Sequence, residues 1–280
     1  MNFRLIEDTI VVRPYSRWEF LRVREVWRYR EFFWVLLARD IKVRYKQTFI
    51  GLLWIVIQPL LAMTLYTVIF GGFAGSTSYE ALPYPVFALI GIVFWGYFSS
   101  SITYATSSLS GNAELIKKVY IPKEIFIIIA VATACIDFFV AVAILLIVLL
   151  LFHIQTGLMF YVSLFLGLGI LSLSNLGLGL FLASCSIRFR DVRYLVPFFL
   201  QILFFTAPLI YPLERVTSRY QILLYLNPVT GVVELVRSAL VYGTVQRPEL
   251  VWYSVIFAAV VSIVGITYFR KTERDIVDVL

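Results

Sequence analysis

An all-α, polytopic membrane protein is the fold class this sequence predicts. Three observations carry it. Six apolar stretches, at 49–73, 85–109, 125–152, 159–187, 195–212 and 249–269, account for most of the 280 residues. The chain is 61% hydrophobic and 15% charged, with a mean hydropathy of +0.89. Its basic residues are sorted to alternate loops. A hydrocarbon core of roughly 30 Å needs about 20 helical residues. Lipid offers no hydrogen-bond partners, so each span is expected to be α-helical. The 195–212 stretch is at the short limit, where a helix dips into the membrane as readily as it crosses.

Charge placement orients the chain. Eleven basic residues precede the first span: Arg4, Arg13, Arg17, Arg22, Arg24, Arg28, Arg30, Arg39, Lys42, Arg44 and Lys46. Lys117, Lys118 and Lys123, then Arg188, Arg190 and Arg193, then Arg270, Lys271 and Arg274 fall on the same side. Only Arg215, Arg219, Arg237 and Arg247 fall on the other. The positive-inside rule puts both termini in the cytoplasm. The same rule accounts for the net charge of +7, and nucleic-acid binding would need a basic folded domain that is not visible.

Residues 1–48 form a cytoplasmic N-terminal segment, and 49–280 the transmembrane domain. Within 17–47, apolar and basic residues alternate at helical spacing. This predicts an amphipathic helix at the inner headgroup level. The N-terminus lacks a short apolar region followed by small residues, so the first span is expected to act as a retained insertion signal. Cys135 and Cys185 fall inside spans and are read as small hydrophobes, with no disulfide inferred.

Within the first span, Gln58-Pro59 predicts a kink. The second carries Phe94, Trp95, Tyr97 and Phe98 near mid-depth, then hydroxyls at Ser99, Thr103, Thr106, Ser107 and Ser110. That stripe fits either close helix packing or the polar wall of a conduit. In the loop 110–124, Asn112 is placed to cap a short helix and Pro122 to stop it. Leu115, Ile116, Val119 and Tyr120 then share a face that needs a cover, either the headgroup region or a partner subunit.

Asp137 lies near the centre of the third span, where a charge costs roughly 2.5–3.5 kcal/mol on insertion scales. It is either functional or tied to Ser172, Ser174 or Asn175 on the next span. His153 has no Cys, Asp or His neighbour in sequence, so no metal site is expected. Gly169, Ser172, Asn175, Gly179 and Ala183 predict a close-packing stripe on the fourth span. In 213–248, Asn227-Pro228 is a strong helix start, and Glu234 and Arg237 can pair across three residues. The pieces at 220–226 and 229–242 are too short to span. They read as re-entrant or interfacial helices, tolerated only if protein buries them or they line a wet cavity.

There is no G-x-x-x-x-G-K-[ST] run, so no ATP site of the P-loop kind is expected. A single histidine leaves few routes for His-dependent catalysis. Near a cytoplasmic interface only Asp191 and Glu114 stand out as acids. Transport and scaffolding are the remaining classes.

Four segments carry a resemblance: RDIKVRYKQTFIGLLWIVIQPL (39–60), LIKKVYIPKE (115–124), RFRDVRYLVPFFLQILFFTAPLIYP (188–212) and LNPVTGVVELVRSAL (226–240). Together they resemble the permease subunit of ATP-binding-cassette exporters of polysaccharides, the family of O-antigen, teichoic-acid and capsule export. The likeness runs from about Tyr29 to the end. Arg188-Phe189-Arg190-Asp191 is a minor departure, since many members carry Tyr before Arg-Asp. The resemblance implies a multi-pass protein of the cell inner membrane that exports a lipid-linked polysaccharide. It implies a homodimer of permeases and two copies of a separate ATPase, which binds the ATP, so this chain needs no cofactor of its own.

The resemblance also implies that 112–121 is the coupling helix, with Glu114, Leu115, Ile116, Lys117, Lys118, Val119 and Tyr120 contacting the ATPase. It implies outer gate helices at 220–242, with Asn227, Pro228, Glu234 and Arg237 as their key residues. A polymer longer than the membrane needs a continuous channel, and mid-depth aromatics can stack on sugar C–H faces. Trp54, Tyr66, Trp95, Tyr97, Phe98 and Tyr104 are the channel candidates, against a packing or lipid-facing role for each. The alternatives are an exporter of a drug or another lipid, and a membrane scaffold or enzyme without transport.

Overall fold

The computed structural model describes residues 27–46, 53–71, 82–119, 121–213 and 216–273. Ten helices of six or more residues are found there: α1 (Arg30–Lys46), α2 (Leu53–Phe70), α3 (Tyr84–Gly111), α4 (Ala113–Lys118), α5 (Glu124–Leu151), α6 (Leu158–Arg188), α7 (Val192–Thr206), α8 (Ser218–Tyr225), α9 (Pro228–Tyr242) and α10 (Pro248–Thr272). No strand occurs among the described residues. Five helices, α2, α3, α5, α6 and α10, are long and apolar enough to cross a membrane. The chain is therefore an all-α polytopic membrane protein.

Helix α7 is the exception to the expected spans. It has 15 residues, about 22 Å at 1.5 Å per residue, and it stops well before position 212. Pro208 explains the stop, because the residue before a proline is pushed out of the α region. Ala207 is extended, with φ −90° and ψ 141°.

Helix α3 is the centre of the bundle. It packs on α5 and α6, and α10 packs on α6. One core fills the half of the bundle around Val86–Phe94, with Phe138, Leu145, Phe160, Val232 and Val236. A second lies at the other end, joining Leu109, Ile125, Ala183 and Phe269 to Leu36 and Leu37 of α1. Helix α2 has no buried residue and meets the bundle through half-buried side chains such as Met63 and Tyr66.

The α6–α10 crossing depends on glycine. A Cβ on Gly177 would lie 2.6 Å from the backbone N and Cα of Ser262, and one on Gly265 would collide with the carbonyl oxygen of Gly177. The expected small-residue stripe is thus displaced. Gly179 does pack closely, 2.8 Å from the Ala105 methyl for an added Cβ, whereas Gly169 faces open space.

Helix α9 is buried from Pro228 to Leu240. Asn227 caps it, accepting from the Val229 N–H at 3.1 Å. The Asn227 amide also donates to the Leu203 carbonyl at 2.8 Å, joining the start of α9 to the end of α7. Gly243, at φ 67°, ends the helix in the left-handed conformation that glycine adopts without a Cβ penalty.

Candidate functional site

A cavity of about 540 Å³ lies between α2, α3, α5 and α7. Trp54, Tyr66, Trp95, Tyr97 and Tyr104 line it, so five of the six aromatic channel candidates come together. Phe98 does not. It is 1% exposed and packs in the core, with its ring 5.7 Å from that of Trp95. Phe204 of α7 completes the wall, 5.5 Å from the Trp95 ring and 6.0 Å from that of Tyr66. Sequence reasoning passed over Phe204, because Phe204-Phe205 in an apolar stretch carries no sign of which face turns inward. Gln58 and Pro59, read only as a kink, also line the cavity.

The cavity wall is partly polar. Tyr97 Oη and Ser172 Oγ are 2.7 Å apart. The hydroxyl stripe of α3 has two uses. Thr103, Thr106, Ser107 and Ser110 donate to carbonyls one turn back, the pattern by which such residues satisfy themselves within a helix. Ser186 adds a bond to the Thr106 carbonyl from α6 at 2.7 Å. Thr103 and Ser107 are exposed on the open side of α3.

Asp137 is tied, but not to the next span. Its Oδ2 accepts from Arg44 of α1 at 3.0 Å, and the Arg44 guanidinium lies 3.7 Å from the centre of the Tyr104 ring. Ser172 bonds Tyr97 instead. Ser174 and Asn175 are fully buried, and their side-chain polar atoms have no hydrogen-bond partner among the described residues. The partner found among the described residues is 93 residues earlier, on a helix that composition alone places at the membrane surface. No local signal in the sequence singles out Arg44 from the other cations before the first span, Lys46 standing nearer to it.

A second cavity, of about 550 Å³, opens beside α1, α3 and α5, with Arg39, Asp40, Ser107 and Asn112 in its wall. Asn112 does not cap α4 with its side chain. It donates to the Ser108 carbonyl at 2.8 Å and accepts from Arg39 at 2.7 Å. Helix α4 buries Ile116 and exposes Glu114, Lys117, Lys118 and Val119. Its apolar face is thus split: Ile116 and Leu115 join the core beside α1, while Val119 projects outward. The exposed Glu114–Lys118 pair is 3.7 Å apart. Tyr120 lies outside the described residues. No group of three or more metal-ligating side chains occurs among the described residues.

Arg237 and Glu234 are both buried and pair at 3.6 Å. Arg237 also donates to the carbonyls of Pro208 (2.6 Å), Phe87 (2.8 Å) and Leu209 (2.9 Å). Its guanidinium stacks 3.4 Å from the centre of the Phe87 ring. Tyr84 donates to the Ile210 carbonyl at 2.8 Å. The 207–211 backbone, broken by proline, is thus satisfied by side chains from α9 and α3, as non-helical backbone at membrane depth must be.

Residues 31–241 match the family described as ABC-2 type transporter. The O-antigen export system permease protein RfbA of Myxococcus xanthus is 29% identical over 213 residues, 75% of this chain and 80% of that protein. Its namesake from Klebsiella pneumoniae is 24% identical over 251 residues, covering 88% and 93%. The polysialic acid transport protein KpsM of Escherichia coli is 29% identical over 247 residues, covering 85% and 92%. With three-quarters of its length matched, from α1 through the buried α9, the chain belongs to the ABC-2 type transporter family.

Proposed function

We propose that this chain is the channel-forming subunit of an exporter that moves a lipid-linked polysaccharide across the cytoplasmic membrane, driven by a separate ATPase. The observation that carries the reading is the aromatic cavity. Trp54, Tyr66, Trp95, Tyr97 and Tyr104 surround one space between α2 and α3. Aromatic faces meet the C–H faces of sugar rings without fixing one register, which suits a polymer that must slide. The relatives named for O-antigen export and polysialic acid transport support a sugar polymer as cargo.

Two permease copies would enclose the conduit at a two-fold axis. The hydroxyl-bearing open side of α3 and the unburied α2 would face that axis. Two ATPase copies would bind the ATP, and this chain would need no cofactor and catalyse no reaction. Glu114, Leu115, Ile116, Lys117, Lys118 and Val119 would transmit the stroke through α4, with Tyr120 beside them. Helices α8 and α9 would form the outer gate, braced by Asn227, Pro228, Glu234 and Arg237. Both termini would be cytoplasmic, as the basic loops require.

The test is complementation. A strain deleted for this chain loses surface polysaccharide. The wild-type chain restores it, and Trp95→Ala, present in the membrane at the same level, does not. Full restoration by Trp95→Ala together with Tyr66→Ala would remove the cavity from the transport path. Drug sensitivity with normal surface polysaccharide in the deletion strain would overturn the cargo class.

A further inference from the structure

The two cavities are not independent. The aromatic one and the one beside α1 have two wall residues in common, Arg44 and Tyr104. Those two residues stack on each other at 3.7 Å, and Arg44 is held to Asp137 on the aromatic side. Three helices therefore meet at one point between two spaces of similar size. A flat guanidinium, fixed by a carboxylate and lying on a phenol ring, is a partition. It is also the arrangement in which a charge on α5 is neutralised at membrane depth, where an isolated one is costly.

The helix that carries Arg44 is held from one side. Among the described residues of α1, Leu36 and Leu37 are buried and Phe32, Phe33 and Ile41 pack half-buried against the same core, while Trp34, Val35 and Val43 are largely exposed. A further polar tie among the described residues is Arg39 to Asn112, the residue just before α4. Displacement of α4 thus acts on the same helix that positions Arg44.

We infer that the Arg44–Asp137 pair, backed by Tyr104, is an inner gate that closes the aromatic cavity toward the cytoplasm and opens when α1 shifts. This rests on the export reading for its orientation, but it concerns water access and not cargo.

The experiment measures that access. Cys135 and Cys185 are replaced by alanine in the full chain, and Ser100, which lines the aromatic cavity, by cysteine. Inside-out membrane vesicles are treated with a membrane-impermeant cationic methanethiosulfonate. With the pair intact, labelling is slow. Arg44→Ala and Asp137→Asn each speed it by about tenfold, the shift in open population expected when one modest interaction is lost. These variants change the local charge in opposite senses, so attraction of the reagent alone would move the two rates in opposite directions. That result, or equal labelling in all three proteins, overturns the gate. The exchange Arg44→Asp with Asp137→Arg returns labelling to slow and shows that neither single variant acted by misfolding; fast labelling in the exchange protein counts against the pair. Surface polysaccharide is scored separately. Loss of the gate with normal export leaves the function standing, and a gated chain that exports another solute keeps the gate.

Discussion

Arg237 on α9 donates to the carbonyl oxygen of Pro208, 29 residues earlier, at 2.6 Å. That bond places a fully buried cation against the broken end of α7, and a second bond, to the Phe87 carbonyl at 2.8 Å, ties α9 to α3. The proline that stops α7 frees carbonyls in lipid, and Arg237 is what makes the stop tolerable. Removing the cation leaves both the carbonyls and Glu234 with less compensation. Arg237→Leu should therefore destabilise by about 3–5 kcal/mol, the usual cost of breaking a buried pair from one side. Thermal unfolding of the detergent-solubilised protein would measure this, and a double variant with Glu234→Gln should lose less than the sum of the singles.

Trp95 and Phe98 stand three residues apart and should separate cleanly. Trp95→Ala opens a wall of the aromatic cavity and should abolish export at a smaller cost in stability than the Phe98 deletion, because Trp95 is only half-buried, while Trp95→Phe should retain much of the export. Phe98→Ala should cost about 3–5 kcal/mol of stability as a core deletion. Export normalised to folded protein, read beside melting curves, distinguishes the two.

The α6–α10 crossing makes a steric prediction. Gly177→Ala should lower stability by about 1–3 kcal/mol through overpacking, because the added methyl meets the Ser262 backbone. Gly169→Ala should be neutral or slightly stabilising, since open space surrounds it. Protease resistance of the two variants in native membranes would rank them.

At α4, Lys117→Glu and Lys118→Glu together should lower the stimulation that this chain gives to the ATPase subunit's hydrolysis by about tenfold, roughly 1.4 kcal/mol of coupling, without affecting insertion. Normal stimulation in that variant would take α4 out of the transmission path.

Asn227→Ala should cost about 1 kcal/mol as a lost helix cap. A larger loss would report the second bond, to the Leu203 carbonyl. Asn227→Ser, which keeps the cap but not the reach to α7, separates the two contributions in a chemical-denaturation series.

The sequence was most legible where one local rule decides. Span length gave the class, Asn227-Pro228 announced α9, and i, i+3 spacing paired Glu234 with Arg237. The aromatic candidates converged because large rings near mid-depth on adjacent helices have few places to go. What could not be read was anything set by helix rotation. Phe98 turned into the core and Phe204 into the cavity although both look alike in an apolar run. Asp137 drew its partner from α1 and not from the neighbouring span, because a surface helix can reach inward with an arginine and a membrane helix rarely carries one. Asn112 does precede α4 as expected, but its side chain bonds Arg39 and the Ser108 carbonyl and leaves the cap unmade.

Helix α2 contributes Trp54, Gln58 and Tyr66 to the chamber yet keeps none of its own side chains fully hidden. That wall of the chamber packs on the core only through half-buried side chains such as Met63 and Tyr66, whereas the α3 and α5 walls belong to the core itself. On the export reading, an outward swing of α2 would uncover less apolar surface than a shift of any other wall and would let wider cargo pass at little cost to the scaffold. Tolerance for cargo size and resistance to heat would then be separately adjustable traits of the same molecule.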